Sequence, residues 1–432
     1  SYLEYAIDYA SAGMYEEATQ LLSFVAEGNE ATYPMVYYAL GYFASKMGKK
    51  DEALNLYKKA ETMCPDYCFP NKLEEVLMLN DAMSLNPEGA KAPYYLGNFH
   101  YAARIYDEAI ACWEKSASID DTYPTVLRNL SLAYYNKQHN PQKALATLEK
   151  AYNLDTTDAR ILMELDQLYK KLRYPHRQRL DFLEAHADVV EQRDDLCIER
   201  ITLYNQLGEY QKAYDLINSR KFHPWEGGEG KVTSQYLLCR VELAKIAIRE
   251  GRFADAVRLL KETEKYPDNL GEGKLSMAEE NDIHYWMGCA YEGLGEEALA
   301  KEYFTKATKG SAEPAIAFFY NDQQPDKIFY QGLAWRKLGE EDKARSRFNR
   351  LIKHGEKHLF DKVKIDYFAV SLPDLLIWDD DLNVRNQIHC NLVMGMGYLG
   401  LGDKEQARKF LSEVARLDIN HQAGKQLLEM CG

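Results

Sequence analysis

With 432 residues the chain is long for one globule, yet its 46% apolar content is that of an ordinary folded protein. Its 53 Lys and Arg stand against 67 Asp and Glu, a net charge of -14, which argues against a nucleic-acid backbone or an anionic membrane as main partner. No apolar run is long enough to span a bilayer, and eight scattered cysteines without a C-x-x-C pair read as the reduced thiols of a cytoplasmic chain.

Ser1 enters helix directly, with no charged or apolar leader, so export is not expected. From there the chain reads as helical hairpins. An Ala opens the second helix of each: Ala18, Ala53, Ala109, Ala144, Ala213, Ala256, Ala300, Ala344 and Ala407. Five residues earlier most copies carry Gly (Gly13, Gly48, Gly208, Gly251, Gly295, Gly339, Gly402), which ends the first helix and opens a tight turn. Twelve residues earlier most carry another small residue: Ala6, Gly41, Gly97, Ala244, Gly288, Gly332 or Gly395. Small residues on facing stripes let two helices approach, and large ones such as Trp113 fill the space beside them. Neither helix hides its apolar face alone, so each hairpin needs neighbours of its own kind.

The departures from register are equally readable. Phe69 to Asn86 is an extra helical segment, and Ile161 to Glu191 has room for a degenerate copy. The early anchor pairs are 35 residues apart; from Ala213 to Ala344 the spacing is 43 or 44, which divides the chain into an N-terminal array, 1–220, and a C-terminal array of lengthened repeats, 221–432. Leu359 to Asp381 reads as a further helix with an acidic tail.

This register of small and aromatic positions resembles the tetratricopeptide repeat, whose period is about 34 residues. The resemblance implies an all-α, right-handed superhelical solenoid of hairpins. A narrower resemblance rests on RKFHPWEGGEGKV (Arg220 to Val232), APYYLGN (Ala92 to Asn98), NLGEGK (Asn269 to Lys274) and DIHYWMG (Asp282 to Gly288). These words are similar to the C-terminal repeat region of bacterial proteins that carry an N-terminal domain of unknown function, a mutarotase-like β-sandwich. The resemblance implies a setting near carbohydrate handling, with that β-domain as one possible partner.

In such repeats the first helix of each pair lines the concave face. Carried onto this chain, that gives Tyr38, Tyr42, Tyr94, Asn98, Tyr101, Tyr134, Tyr285, Phe329 and Arg336 as a binding groove. Tyr offers contact area at low entropy cost and a hydroxyl for polar partners. A second candidate is the loop edge His223, Trp225, Glu226, Glu229, Lys231, Glu272 and Lys274, where GEGK occurs twice, one lengthened period apart. Glycines ahead of a helix leave N–H groups for an anion, but the glutamates can take those donors themselves. A P-loop is excluded, because Val232 follows Lys231 and Trp225 stands where its first glycine belongs.

His354 and His358 are four apart, but Gly355 weakens the helix between them and no third ligand is near in sequence, so no metal is expected. Asp379 to Asp381 read as a helix cap. Gly395, Gly397 and Gly400 spell G-x-G-x-x-G inside a helix, out of the strand-to-helix setting a dinucleotide needs, so no cofactor is expected. With no catalytic motif in view, the expected function is a non-catalytic scaffold that binds a protein or peptide in a Tyr-lined groove. The alternative is a carbohydrate-binding or carbohydrate-processing accessory region working with the β-domain.

Overall fold

The structure is a computed structural model and describes residues 1–26, 33–317, 322–364 and 376–432. Among the described residues there are 23 α-helices and no strands. The chain divides into two compact units, Ser1–Leu165 and Asp166–Gly432. In the first, α1 (Tyr2–Ser11) pairs with α2 (Tyr15–Ala26), and α3 (Pro34–Lys46) with α4 (Lys50–Glu61). The extra helix α5 (Leu73–Leu85) follows, then the pairs α6 (Lys91–Ala102) with α7 (Tyr106–Ile119) and α8 (Pro124–Asn136) with α9 (Pro141–Leu154). Helix α10 (Ala159–Lys171) crosses the division.

The second unit continues with α11 (His176–Glu184) and the short α12 (Ala187–Val190), which with α10 form the degenerate copy. Five hairpins follow: α13 (Asp194–Gln206) with α14 (Tyr210–Asn218), α15 (Lys231–Arg249) with α16 (Phe253–Lys261), α17 (Asn281–Gly293) with α18 (Glu297–Ala307), α19 (Pro325–Lys337) with α20 (Glu341–His358), and α21 (Leu382–Leu401) with α22 (Lys404–Leu417). Helix α23 (Gln422–Met430) packs on α22. The division at 220/221 drawn from repeat length falls inside this unit, at the loop between α14 and α15.

All nine Ala anchors are buried in the first turns of their helices. Opposite them the small residues receive a large side chain. A Cβ at Gly97 would lie 2.4 Å from the Trp113 ring, and one at Gly332 would lie 2.4 Å from Phe348. Trp113 Nε1 also donates to Tyr94 O at 3.3 Å, so the indole is both the wedge and a hydrogen-bonded tie. Buried apolar residues run from hairpin to hairpin; Ile328, Phe348, Val393, Leu411 and Leu427 belong to one cluster spanning α19 to α23.

The seven turn glycines all have positive φ. Where that position lacks glycine the backbone still turns the same way: Arg104 has φ 63° and His139 φ 52°. A side chain there is strained by roughly 1 kcal/mol. Arg104→Gly and His139→Gly are therefore expected to stabilise the first unit by roughly 0.5 kcal/mol each, after the greater freedom of glycine in the unfolded chain is deducted. A urea titration of each variant checks the sign.

The added length of the later repeats lies mainly in the connections 219–230, 262–280 and 308–324, the second holding a short 3-10 turn at Asp268–Leu270. The central part of the helix expected within Leu359 to Asp381, 365–375, lies outside the described residues, and its described flanks, 359–364 and 376–381, are not helical. Asp381 caps α21, accepting from Asn383 N–H at 2.8 Å.

Candidate functional site

Four of the nine groove positions are inside the seams between helices. Tyr38, Tyr94, Tyr134 and Phe329 are 0%, 5%, 4% and 1% exposed. In the first unit Tyr38, Tyr95, Tyr94 and Tyr123 form a chain of rings with centroids 5.2 to 5.9 Å apart, which joins α3 to α6 and to the entry of α8. Burial and Glu61 push the Tyr38 hydroxyl well above its ordinary range, so it serves as a neutral donor to Glu61, 2.8 Å away. Tyr134 likewise donates to Glu114 at 2.7 Å, under Lys143. These rings hold hairpins together and are not open to a ligand.

Tyr42, Asn98, Tyr101 and Tyr285 are half-buried and Arg336 is exposed. Arg336 is already engaged, by Glu341 at 2.9 Å and by Gly400 O at 2.7 Å, which ties α19 to α21. Tyr285 packs with Trp286 and Tyr330, whose ring also meets Phe329.

Around Asn98 the structure adds residues that the groove positions did not include. Asn98 Oδ1 accepts from Trp113 Nε1 at 3.1 Å and from Asn129 Nδ2 at 3.3 Å. Asn129 Oδ1 accepts from Arg128 at 3.2 Å, and Arg128 is paired with Glu164 through Nε at 2.7 Å. Asn98, Asn129, Arg128 and Glu164 thus form a polar ladder over α6, α8 and α10, with Tyr101 beside Trp113 at 5.2 Å. The signal for Asn129 was its place on the first helix of the next repeat, facing the same way as Asn98.

The two GEGK loops meet. Glu272 accepts from Gly230 N–H through both oxygens, at 3.1 and 3.2 Å, so a carboxylate of the neighbouring loop takes the donor at the start of α15. Trp225 folds over Gly228, where a Cβ would lie 2.0 Å from the indole. Phe222 N–H donates to Asn269 O at 2.7 Å, and Asn269 Nδ2 donates to Ile217 O and Arg220 O. His223 is held on Asp194, with its N–H 2.8 Å from Oδ2, and Lys274 pairs with Glu280. Glu226, Glu229 and Lys231 are exposed. The edge is an interlock of two connections.

Beside it, Tyr214, Tyr236 and Tyr266 line a shallow hollow of about 570 Å³ together with Lys261, Glu262, Glu264, Lys265 and Asp268. Arg240 lies 3.3 Å from the Tyr214 ring centroid and pairs with Glu262, and Tyr236 donates to Glu262 O at 3.1 Å.

His354 and His358 have ring centroids 4.6 Å apart, and His389 from α21 comes within 6.0 Å of His354. His358 Nδ1 is 2.6 Å from Asp361 and His389 Nε2 is 2.8 Å from Ala315 O. No group of three or more His, Cys, Asp or Glu among the described residues is placed to hold a metal ion. Burial, with His358 and His389 adding to it, pushes the His354 imidazole down to about 4. The unfolded imidazole titrates near 6.5, so between those values the unfolded chain binds more protons. Stability is then full above about pH 6.5 and falls as the pH drops toward 4, by on the order of 2 kcal/mol for this group. Thermal melts at pH 7 and pH 5 should show that slope. His354→Gln should make it shallower, leaving the part contributed in the same direction by the other histidines that burial pushes down, His176, His284, His389 and His421.

Models of the tetratricopeptide repeat match residues 36–67, 282–309 and 328–354. With the hairpin geometry above, they establish that the chain carries tetratricopeptide repeats and that its fold is an all-α solenoid of such hairpins. Similar solved structures include PilF of Pseudomonas aeruginosa, with 18% identity over 50% of this chain and 88% of that one, at a TM-score of 0.30. YrrB, described as a TPR protein with an unusual peptide-binding site, shares 16% identity over 50% and 95% of the two chains, at a TM-score of 0.30. A chain of the Naa15/Naa10 assembly bound to HypK-THB shares 10% identity over 99% and 65%, at 0.36. Likeness at this level says nothing about ligands. No described helix is long and apolar enough to cross a membrane.

Proposed function

We propose that this chain is a non-catalytic scaffold that holds a peptide or a partner protein, and that in the first unit the ligand lies on Asn98 and Asn129, with Arg128 at their edge held from beneath by the buried Glu164. The observation that carries this reading is the pair of half-buried carboxamides joined at 3.3 Å across two neighbouring hairpins. A carboxamide both donates and accepts, as a peptide bond does, so two of them side by side suit an extended backbone. Stacked hairpins fix their spacing before the ligand arrives, which lowers the ordering cost of binding. Tyr101 supplies an aromatic anchor beside them, and Arg128, paired with the buried Glu164, is fixed at their edge. The β-sandwich domain implied by the narrower resemblance is one partner of the right kind.

Selection of displayed peptides against the whole chain tests the reading. Enriched peptides should lose at least about tenfold in affinity with Asn98→Ala or Asn129→Ala, roughly 1.4 kcal/mol, while the melting temperature stays put. No enrichment, or binders indifferent to both changes, would sink it.

A second reading has one observation in its favour. The half-buried Tyr266 ring, with carboxylates and ammonium groups around a shallow hollow, suits a sugar, whose faces stack on rings and whose hydroxyls take polar partners. A glycan array decides it: binding that disappears with Tyr266→Ala supports a carbohydrate role, and a blank array removes it.

A further inference from the structure

In the second unit the last helices return to the first ones. The turn between α22 and α23 lies on a face built from α10, α11, α13 and α15. Asn420 Oδ1 is 3.0 Å from His176 Nε2 and 3.5 Å from Arg179, and Asn420 Nδ2 reaches Lys170 O at 3.5 Å. Gln206 Nε2 donates to the backbone oxygen of Asn420 at 2.5 Å, and Lys425 donates to Gln206 O. The carboxamides of Gln235 and Gln422 exchange hydrogen bonds at 2.9 and 3.0 Å. Arg173 closes the set on Arg416 O at 2.5 Å.

Two features separate this contact from ordinary core packing. First, the hydrogen bonds are made by amides, an imidazole, guanidinium, ammonium and backbone carbonyls, while the apolar side of α23, Leu427 and Cys431, packs the other way, with Leu411 and Val414. Permanent interfaces are apolar at their centre; polar ones can be exchanged with solvent or with a competitor. Second, the face is incompletely satisfied by its occupant. Asn205 and Gln206 are 3% and 4% exposed, yet Asn205 Oδ1 and Gln206 Oε1 are buried acceptors without a hydrogen-bond partner. An unpaired buried acceptor is costly, so a ligand bringing two more N–H donors would bind this face better than the turn does.

We propose that the polar face of α10, α11, α13 and α15 is a peptide-binding site that the turn Arg416–Lys425 occupies in cis, and that an extended partner peptide displaces it by presenting a carboxamide where Asn420 sits and further N–H donors to Asn205 and Gln206. The proposal rests on the scaffold reading only for the kind of ligand, because its surface is not the Asn98–Asn129 ladder. The C-terminal turn is then an autoinhibitory plug. It binds with the advantage of being tethered, so a partner must exceed a high local concentration before the site opens.

The test uses the whole chain and a fluorescein-labelled synthetic peptide of residues 413–426, followed by anisotropy. Wild type should bind the probe weakly. The opened variant Asn420→Ala with Gln422→Ala should bind it at least about tenfold tighter, and adding Gln206→Ala and Gln235→Ala should return binding to the wild-type level. Equal weak binding by wild type and a folded opened variant overturns the proposal. If the opened variant fails to fold, hydrogen exchange on wild type decides: amides of 418–422 exchanging faster than those of α21 and α22 support a releasable plug, and equal protection overturns it. Asn98→Ala in the opened background should leave the affinity for this probe unchanged, while still weakening peptides selected on the ladder. Loss of the probe there would keep the scaffold reading while moving the peptide to the ladder, and would overturn this site.

Discussion

Arg179→Ala is expected to cost about 3 to 5 kcal/mol, enough to unfold much of the second unit near physiological temperature. The guanidinium is 1% exposed and bidentate on Asp166, with Nε 3.0 Å from Oδ1 and a terminal nitrogen 2.8 Å from Oδ2. The same nitrogen reaches Glu199 at 2.7 Å, and Lys170 also pairs with Glu199 at 2.9 Å. One arginine on α11 thus ties α10 to α13 at the irregular copy, where no glycine turn or anchor Ala sets the spacing. Burial pushes the Asp166 carboxyl up even beside Arg179. Burial would also raise Glu199, but Lys170 and Arg179 outweigh it and hold that carboxyl below the ordinary range. Truncating Arg179 strands Asp166 without its ion-pair partner, with only the more distant charge of Lys170 acting on it, and the penalty is that of a poorly compensated buried carboxylate. The paired change Asp166→Leu with Arg179→Met removes both charges together and should recover most of the loss, leaving Glu199 to Lys170. Urea unfolding followed by circular dichroism measures both. A loss under about 1 kcal/mol for Arg179→Ala would show that water reaches the cluster and screens it.

What was legible in the sequence is what hairpins decide locally. The turn glycines, the Ala anchors and their facing small residues lie within twelve positions of one another, and each is demanded by a contact inside one hairpin. The GEGK pair was legible for a related reason: two identical connections one period apart must be neighbours, and Glu272 on Gly230 shows it. The groove was only partly legible. Register says which broad face a residue takes, but curvature decides whether the next hairpin covers it, and it covers Tyr38 and Phe329 while leaving Tyr42 and Tyr285 half-open. Asn129 gains its meaning only when α8 is set beside α6. The contact of Gln206 with Asn420 spans 214 residues, and no local period encodes it. In sequence Gly355 is a weak point in a helix, but a Cβ there would lie 2.7 Å from Cys390 O, so its absent side chain is what brings α21 close.

The same close approach makes Gly397→Ala the second large effect, with a sign opposite to helix propensity. Gly397 sits inside α21, where alanine would ordinarily favour the helix by about 1 kcal/mol. A Cβ there would lie 2.7 Å from Phe348 O and 2.5 Å from Ile352 Cγ1, both on α20. On the same seam Gly400 receives the Phe348 ring, where a Cβ would lie 2.1 Å from it. A flexible side chain can turn aside, but the Phe348 carbonyl is fixed in the helix, so α20 and α21 must separate. Separation also opens the contacts that Gly355 and Gly400 permit, since all three lie along one interface. The whole chain should therefore lose about 2 to 3 kcal/mol on Gly397→Ala, and more on Gly397→Val, which adds a β-branched side chain to the same clash. A synthetic peptide of residues 382–401 should instead become more helical with the alanine, because nothing packs on it. If the alanine stabilised the whole chain as it does the peptide, α20 and α21 would not be in backbone contact, and the hairpin stack would need a different last step.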